Sequence, residues 1–329
     1  MVSGGNPPVL RLLFMYRHSK NVLVIGLSQH IFEVTLPSTS NMMLMKNRTG
    51  VRDSVATQKN FTIALKYSDY VPVMKDDAVS YGGSQMWFPD HRWFSRDYVL
   101  HNYGCGTIAT ADLFLYLAIH QDACRNPITE AVLQGTDSAG YTEYMDYVRK
   151  IDGYYTKTKR WLAVLGPRAA TAINDYSRMY GLRLRAKWKW SLTYYDMLEV
   201  MEGMLSHDLP VILSIGPNTP NLWGKKGIPF YQQHTEEVPE APPIITEEGK
   251  ELPPSKVVPM ISYKPVQKDI NGHFVTVTGI IKDSAAARIM LRISSWGKEY
   301  YINYEEYRDY IGDRSGTYTS SIIDITRKG

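Results

Sequence analysis

The sequence predicts an α+β protein whose helices come first along the chain and whose strands come last. Apolar residues recur at helical spacing between residues 103 and 205, whereas two β-rich runs joined by a short polar connection follow residue 272. Of the 329 residues, 44% are hydrophobic and 21% are charged, which is typical of a globular protein with a large core. This composition excludes a disordered or fibrous chain.

Three segments before residue 210 are predicted as helices. Residues 103–120 are apolar on nearly every side, so this helix is expected to pass through the core. The second helix begins at Gly166-Pro167, with proline in its first turn, and ends before Gly181. The third begins with a capping pattern near Thr193, and its methionines at helical spacing are expected to be core residues.

The last third of the chain is predicted to hold an antiparallel sheet. Residues 273–281 and 287–296 form the pattern of a hairpin, and the apolar run at 210–215 suits a buried strand. Residues 236–259 are rich in proline and glutamate, which predicts a loop outside the core. The remaining elements are a short helix at residues 304–311 and a last strand at 321–326.

The chain is expected to divide into a poorly defined amino-terminal extension, residues 1–83, and one larger domain, residues 84–329. Within the extension, LRLLF and NVLVIGL are predicted as strands and residues 37–60 as a polar connection. Charged residues interrupt the apolar stretch at residues 9–27, so neither an integral membrane segment nor a signal peptide is indicated. This favours the cytoplasm as the compartment.

Charge and cysteine content exclude several classes of binding protein. The formal net charge is only +4 and the basic residues are scattered, which argues against nucleic-acid binding. Cys105 and Cys124 are too few for a four-thiolate zinc site. His101 and His120 each precede one of these cysteines by four positions, but the two pairs would lie about 28 Å apart on a continuous helix and could not share an ion. No metal or other cofactor is expected.

Cys105 is the leading candidate for a reactive group. It lies between Gly104 and Gly106, where a polar segment enters an apolar helix. Flanking glycines would let a substrate backbone approach closely, and unpaired amides at a helix start can lower the pKa of a thiol below about 8.5. The alternative interpretation is a small buried cysteine that opens a helix.

His273 is the second candidate, because it follows a glycine and enters a predicted strand that would hold its imidazole rigidly. On the partner strand, Ser294 lies where a polar side chain could reach this imidazole across the hairpin. Trp296 follows two residues later and would either shield the site or pack in the core. Asp112, on the same helical face as Cys105, is expected to be a buried hydrogen-bonded group rather than a catalytic acid.

The order of these motifs resembles that of the papain-like cysteine peptidases. Their series is a Cys-Gly at a helix start, a Gly-His that opens a strand, and an Asn-Ser-Trp-Gly or Asn-Asp-Pro turn. Within that superfamily the chain is most similar to the bacteriocin-processing and related bacterial peptidases, whose PVI strand precedes a GHFVVVTGY-like strand. Here residues 210–212 (PVI) and 272–280 (GHFVTVTGI) stand in those places, and the resemblance covers about residues 84–315.

The resemblance implies a papain-like fold, in which a helical part carries Cys105 and a following antiparallel sheet carries His273. It implies that Cys105 is the nucleophile and His273 the base in the hydrolysis of a peptide or protein substrate through a thioester. The family's imidazole-orienting asparagine is replaced by Ser294. Its oxyanion glutamine is replaced by Val99, and the substitutes for that donor would be His101 or Asn102.

Two other functions stay open. The replacements at Ser294 and Val99 suit a papain-like scaffold that binds peptides but has weak or no activity. An acyl transferase or a cell-wall amidase would keep the nucleophile and change the acceptor. The sequence leaves the oligomeric state and the substrate sequence undetermined.

Overall fold

The structure is a computed structural model that describes residues 13–17, 22–27, 30–35, 61–92, 94–190, 192–216, 227–239, 257–283, 288–312 and 321–328. The chain divides into two compact units, Met1–Thr57 and Gln58–Gly329. The first unit contains a three-stranded antiparallel sheet of β1 (Leu13–Arg17), β2 (Val22–Leu27) and β3 (His30–Thr35). Strand β2 confirms the predicted run NVLVIGL, whereas β1 shares only Leu13 and Phe14 with the predicted run LRLLF; the predicted connection at residues 37–60 lies outside the described residues.

The second unit confirms the predicted α+β class, because it combines helices with a large antiparallel sheet. No helix in the described part of the chain has both the length and the apolar character that crossing a membrane requires. The helices are α1 (Arg96–Tyr103), α2 (Cys105–His120), α3 (Pro127–Leu133), α4 (Tyr141–Ile151), α5 (Gly166–Met179), α6 (Tyr194–Ser206) and α7 (Tyr304–Gly312).

The central sheet has nine strands, and all of its pairings are antiparallel. In chain order the strands are β4 (Phe61–Ala64), β8 (Leu184–Trp190), β9 (Val211–Ile215), β10 (Ile228–Pro239), β11 (Val257–Ile270), β12 (His273–Asp283), β13 (Arg288–Ser295), β14 (Lys298–Asn303) and β15 (Ser321–Arg327). Their order across the sheet is β11-β10-β14-β13-β12-β9-β15-β8, and β4 also pairs with β12. A smaller sheet contains β5 (Pro72–Lys75), β6 (Ala78–Tyr81) and β7 (Ala139–Gly140).

Strand β12 lies in the middle of the core. Its residues 273–280 are all buried, so both faces of the strand are covered, and α2 and α6 are helices that contact it. Helix α2 is buried at every position from Cys105 to Ile119, as its all-round apolar sequence predicts. The first residues of α2 and β12 are therefore held by the most rigid part of the fold.

The boundary between the two units differs from the predicted one. The sequence places it after residue 83, whereas the compact units divide after Thr57. Residues 61–83 supply β4, β5 and β6 and bury Tyr70, Val71 and Val73 completely in the core that contains α2. These strands are only four residues long, which is why periodicity gives them little signal.

Both ends of the loop predicted at residues 236–259 are strand in the structure. Residues 236–239 and 257–259 extend the paired strands β10 and β11, while residues 240–256 lie outside the described part of the chain. Strand β11 is at the sheet edge, and an edge strand tolerates Pro259 because one side of its backbone has no partner to bond. The proline-rich composition therefore did not prevent strand formation there.

The structure confirms the predicted hairpin, the predicted strand at 210–215 and two of the predicted helices. β12 and β13 pair antiparallel with Thr276 opposite Ser294. Helix α5 carries proline in its first turn, and α6 is capped by Thr193, whose side chain accepts a hydrogen bond from the Asp196 amide. Helix α1, which precedes α2, was not predicted, because its apolar residues form no clear stripe.

Candidate active site

Cys105 and His273 line the same cleft, although they are far apart in sequence. Cys105 is the first residue of α2, His273 is the first residue of β12, and the two elements pack against each other. Both residues line an outer cleft of about 170 Å³ and a small inner cavity of about 20 Å³, which has room for about one water. The structure thus brings together the two residues that the sequence singles out.

The glycines beside Cys105 serve internal packing. A Cβ atom on Gly104 would lie 2.2 Å from the Leu100 carbonyl oxygen, so only glycine lets α1 end where α2 begins. A Cβ atom on Gly106 would lie 3.2 Å from the Phe274 ring. The expectation that these glycines admit a substrate backbone is therefore wrong, because protein atoms already fill the space. Gly106 instead lets β12 approach the first turn of α2.

The pKa of the Cys105 thiol is raised, contrary to the expectation from its place at a helix start. Burial away from water is the largest cause, since it disfavours the thiolate. The backbone amides of Phe274, Gly106 and Cys105 itself lower the pKa, but by less than burial raises it. In the unliganded protein the thiol is therefore protonated at neutral pH.

His273 is buried, and burial lowers its pKa to about 4 because the imidazolium loses hydration. Its Nε2 atom lies 2.8 Å from the Ser295 hydroxyl oxygen. The Trp296 ring stacks on the imidazole with centroids 4.6 Å apart. In the resting protein the imidazole is therefore neutral, with the Ser295 hydroxyl at its Nε2 atom and the Trp296 indole stacked on its face.

Ser295, and not the predicted Ser294, contacts His273. Side chains alternate along a strand, and Ser294 pairs with Thr276, so Ser295 shares the face that carries His273. The Ser294 hydroxyl instead donates to the Tyr81 carbonyl oxygen at 2.7 Å. A register shift between Val277 and Gly279 decides this, because counting back through a regular hairpin would instead put Ser294 on the face of His273.

A tight turn explains where Trp296 lies. Ser295 pairs with Lys298, which leaves Trp296 and Gly297 as a two-residue turn between β13 and β14. Both have positive φ, 50° and 75°, as a type I′ hairpin turn requires. This turn places the indole over His273, which is where the shielding interpretation puts it.

Of the two predicted oxyanion donors, only Asn102 lines the outer cleft, and its Nδ2 donates to the Tyr98 carbonyl oxygen at 2.9 Å. His101 lines neither cavity, and its Nδ1 lies 2.6 Å from the Phe88 carbonyl oxygen. His101 is therefore not placed to act on a substrate.

Gln85 is a cleft residue that sequence reasoning missed. It begins a short 3₁₀ turn, Gln85–Trp87, and lines both the cleft and the inner cavity with Cys105 and His273. Its Nε2 donates to the His101 carbonyl oxygen at 2.8 Å, and among the described residues its buried Oε1 has no hydrogen-bond partner. No spacing rule predicts this placement, because it depends on how the segment before α1 folds back.

A buried carboxyl group supports the segment that carries Gln85. Asp112 accepts hydrogen bonds from the Gly83 amide at 2.9 Å and from the Tyr144 hydroxyl at 2.6 Å. A Cβ atom on Gly83 would lie 1.7 Å from that hydroxyl oxygen, so this position admits only glycine. Burial raises the pKa of Asp112 to about 7, against the lowering effect of both hydrogen bonds. Asp112 is the buried hydrogen-bonded group that the sequence predicts.

No family model, curated protein or solved structure matches this chain. Within the described residues, histidine, cysteine, aspartate and glutamate side chains form no group of three or more that could hold a metal ion.

Proposed function

We propose that this protein is a cysteine hydrolase of the papain-like type, which cleaves a peptide or related amide bond through Cys105 and His273. The observation that carries the proposal is the shared cleft: a thiol on a helix start and an imidazole on a strand start line one solvent-connected space. Ser295 behind the ring and Trp296 over it supply the orientation and the shielding that such a base needs. The helical Cys105 layer against an antiparallel sheet is compatible with a papain-like fold.

The proposed reaction starts from a neutral thiol and a neutral imidazole. As the Cys105 sulfur attacks the carbonyl carbon, the thiol proton passes to His273, and the carbonyl oxygen becomes an oxyanion. Collapse of this intermediate breaks the C–N bond, and His273 returns the proton to the leaving amine. Water then hydrolyses the thioester with His273 again as the base, which releases the acid and restores the thiol.

Donors for the oxyanion come from the walls of the cleft. The Cys105 amide lies at the start of α2, where helical amides have no partner within the helix. Gln85 uses one hydrogen of its Nε2 on the His101 carbonyl oxygen and keeps a second hydrogen for the cleft. Gln85 would replace the side-chain donor that is missing at Val99, and the Cys105 amide would be the second donor.

Thiol labelling at several pH values tests the proposed starting state. Because burial raises the pKa of Cys105 and lowers that of His273, we expect carbamidomethylation of Cys105 by iodoacetamide to accelerate with pH above about 8.5. Turnover of a quenched fluorescent peptide pool should fall in proportion to the labelled fraction, measured by mass spectrometry. Full turnover by completely labelled protein would refute the proposed function, and fast labelling at pH 6 would refute the neutral pair.

One observation favours a second function, peptide binding with little or no hydrolysis. In the described part of the chain no hydrogen bond joins the Cys105 thiol to the His273 ring, and burial raises the pKa of that thiol. In an active hydrolase such a catalytic hydrogen bond would form when substrate binds. Peptide binding without turnover under reducing conditions would identify the binding function.

The two neighbouring serines give a matched pair of variants. Ser295→Ala is expected to lower kcat about tenfold with little change in KM, because the imidazole loses the hydroxyl that orients it. Ser294→Ala should leave kcat nearly unchanged and cost about 1 kcal/mol of stability, because the Tyr81 carbonyl loses its donor. Peptide kinetics and thermal unfolding of both variants check this, and a larger loss of kcat in Ser294→Ala would contradict the assignment.

A further inference from the structure

Trp161 is a large aromatic side chain that lines the outer cleft and yet remains 70% exposed. Its ring lies 6.1 Å from that of Tyr103, which lines the same cleft. Two leucines of the same segment, Leu162 and Leu165, are 56% and 53% exposed. Exposed apolar surface of this extent beside a cleft is typical of a site that binds a partner.

The loop that carries Trp161 is fixed in shape. Lys159 and Ala163 exchange backbone hydrogen bonds of 3.0 Å and 2.8 Å across a β-bridge. Trp161 and Ala163 have φ values of 68° and 54°, a region that side chains other than glycine adopt only under strain. Next in the chain, Val164 is buried and contacts the position of Gly106 in the first turn of α2. The indole is thus held in a defined place relative to Cys105.

The same segment is strongly cationic. Residues 153–174 contain two lysines and two arginines and no aspartate or glutamate. Lys157 and Lys159 are exposed on the loop, and the Arg160 guanidinium lies over the rings of Phe94 and Tyr98. A ligand segment that lies along this loop would meet the Trp161 indole and, two and four residues before it in the sequence, the exposed Lys159 and Lys157.

We propose that the loop of residues 157–163 selects the substrate: it binds a large apolar side chain close to the scissile bond and acidic residues beside it. This rests on the proposed function, because the cleft that Trp161 lines is the one that holds Cys105 and His273. An apolar side chain that stacks on the indole removes both surfaces from water, and a rigid loop loses little entropy when it binds. Carboxylates next to that side chain pair with Lys157 and Lys159.

The probes are short quenched fluorescent peptides with an alanine and glycine frame. Each peptide carries either phenylalanine or alanine at one test position, and that position is flanked by either two glutamates or two lysines. The cleavage sites are identified by mass spectrometry. For the wild type we expect kcat/KM to be about tenfold higher for the phenylalanine peptide with glutamate flanks than for its alanine counterpart. Trp161→Ala should remove that preference, so that kcat/KM becomes about equal for the phenylalanine and alanine peptides.

Tyr195→Ala is the matched control, because Tyr195 is also an exposed aromatic residue, at 77%, and lies on α6 outside the cleft. It should keep the wild-type preference. An unchanged preference in Trp161→Ala, or an equal loss in Tyr195→Ala, would overturn the inference. Exchange of Lys157 and Lys159 for glutamine should remove the preference for glutamate over lysine flanks, and retention of that preference would overturn the acidic part.

Binding separates this inference from the proposed function. If the wild type cleaves no peptide, the hydrolase proposal fails, and the same peptides are measured against Cys105→Ala by fluorescence anisotropy. A phenylalanine peptide that binds Cys105→Ala about tenfold more tightly than the Cys105→Ala, Trp161→Ala double variant supports the substrate site. Equal affinity for the two variants overturns it.

Discussion

Cys105→Ala is expected to lower kcat for peptide hydrolysis by at least about 10³-fold, because no thioester can form without the sulfur. The loss should appear in kcat, with peptide binding retained, since the cleft walls do not depend on the sulfur atom. The measurement is steady-state turnover of a peptide that the wild type cleaves.

The other cysteine provides the control for this experiment. Cys124 is also buried, but it ends the short 3₁₀ turn Asp122–Cys124 beyond the other end of α2 and lines neither the cleft nor the inner cavity. Cys124→Ala should therefore keep wild-type turnover. Equal losses in the two variants would indicate damage to the fold, and turnover by Cys105→Ala would contradict its role as nucleophile.

Asp112→Asn is expected to change how stability depends on pH. In the unfolded chain an aspartate ionises near 3.8, whereas burial raises the pKa of Asp112 in the folded protein to about 7. Below about pH 4 the carboxyl group is protonated in both states and has its full stabilising effect. As the pH rises towards 7 the unfolded chain loses this proton first, so the wild type loses stability over that range, on the order of 4 kcal/mol.

Denaturant unfolding at pH 5 and pH 8 measures this effect. The difference in unfolding free energy between Asp112→Asn and the wild type should shift by about 3 kcal/mol in favour of the variant between these two pH values. Tyr144→Phe is the companion variant: its hydroxyl lowers the pKa of Asp112, so removing it should move the transition to higher pH. A pH-independent difference for Asp112→Asn would show that the carboxyl group does not titrate in this range.

The sequence predicts those parts of the fold that depend on local patterns. Helix α2, helices α5 and α6, and the β12–β13 hairpin each carry their own periodicity and end signals, so they could be placed without knowledge of their neighbours. Cys105 and His273 are predicted as site residues on similar local grounds, because each stands next to glycine at the start of such an element.

Properties of the site that depend on contacts between distant segments could not be predicted from local sequence patterns. The segment that brings Gln85 to the cleft is fixed by the bond from the Gly83 amide to Asp112, a contact between segments about thirty residues apart in sequence. The pKa of Cys105 depends on its burial in the folded protein, which raises it by more than the backbone amides of Phe274, Gly106 and Cys105 lower it. The choice between Ser294 and Ser295 is an intermediate case. It requires the pairing of β12 with β13, and once that pairing is known, the alternation of side chains shows which serine faces His273.

The separation of thiol and imidazole along the chain has a consequence during synthesis. Translation proceeds from the amino terminus, so α2 with its sulfur leaves the ribosome long before β12 and β13 are made. Until residues 273–296 have emerged, the growing polypeptide holds neither the His273 imidazole nor the Ser295 hydroxyl beside it. In the proposed mechanism, a nascent or truncated chain that ends before this hairpin carries the Cys105 thiol without its base.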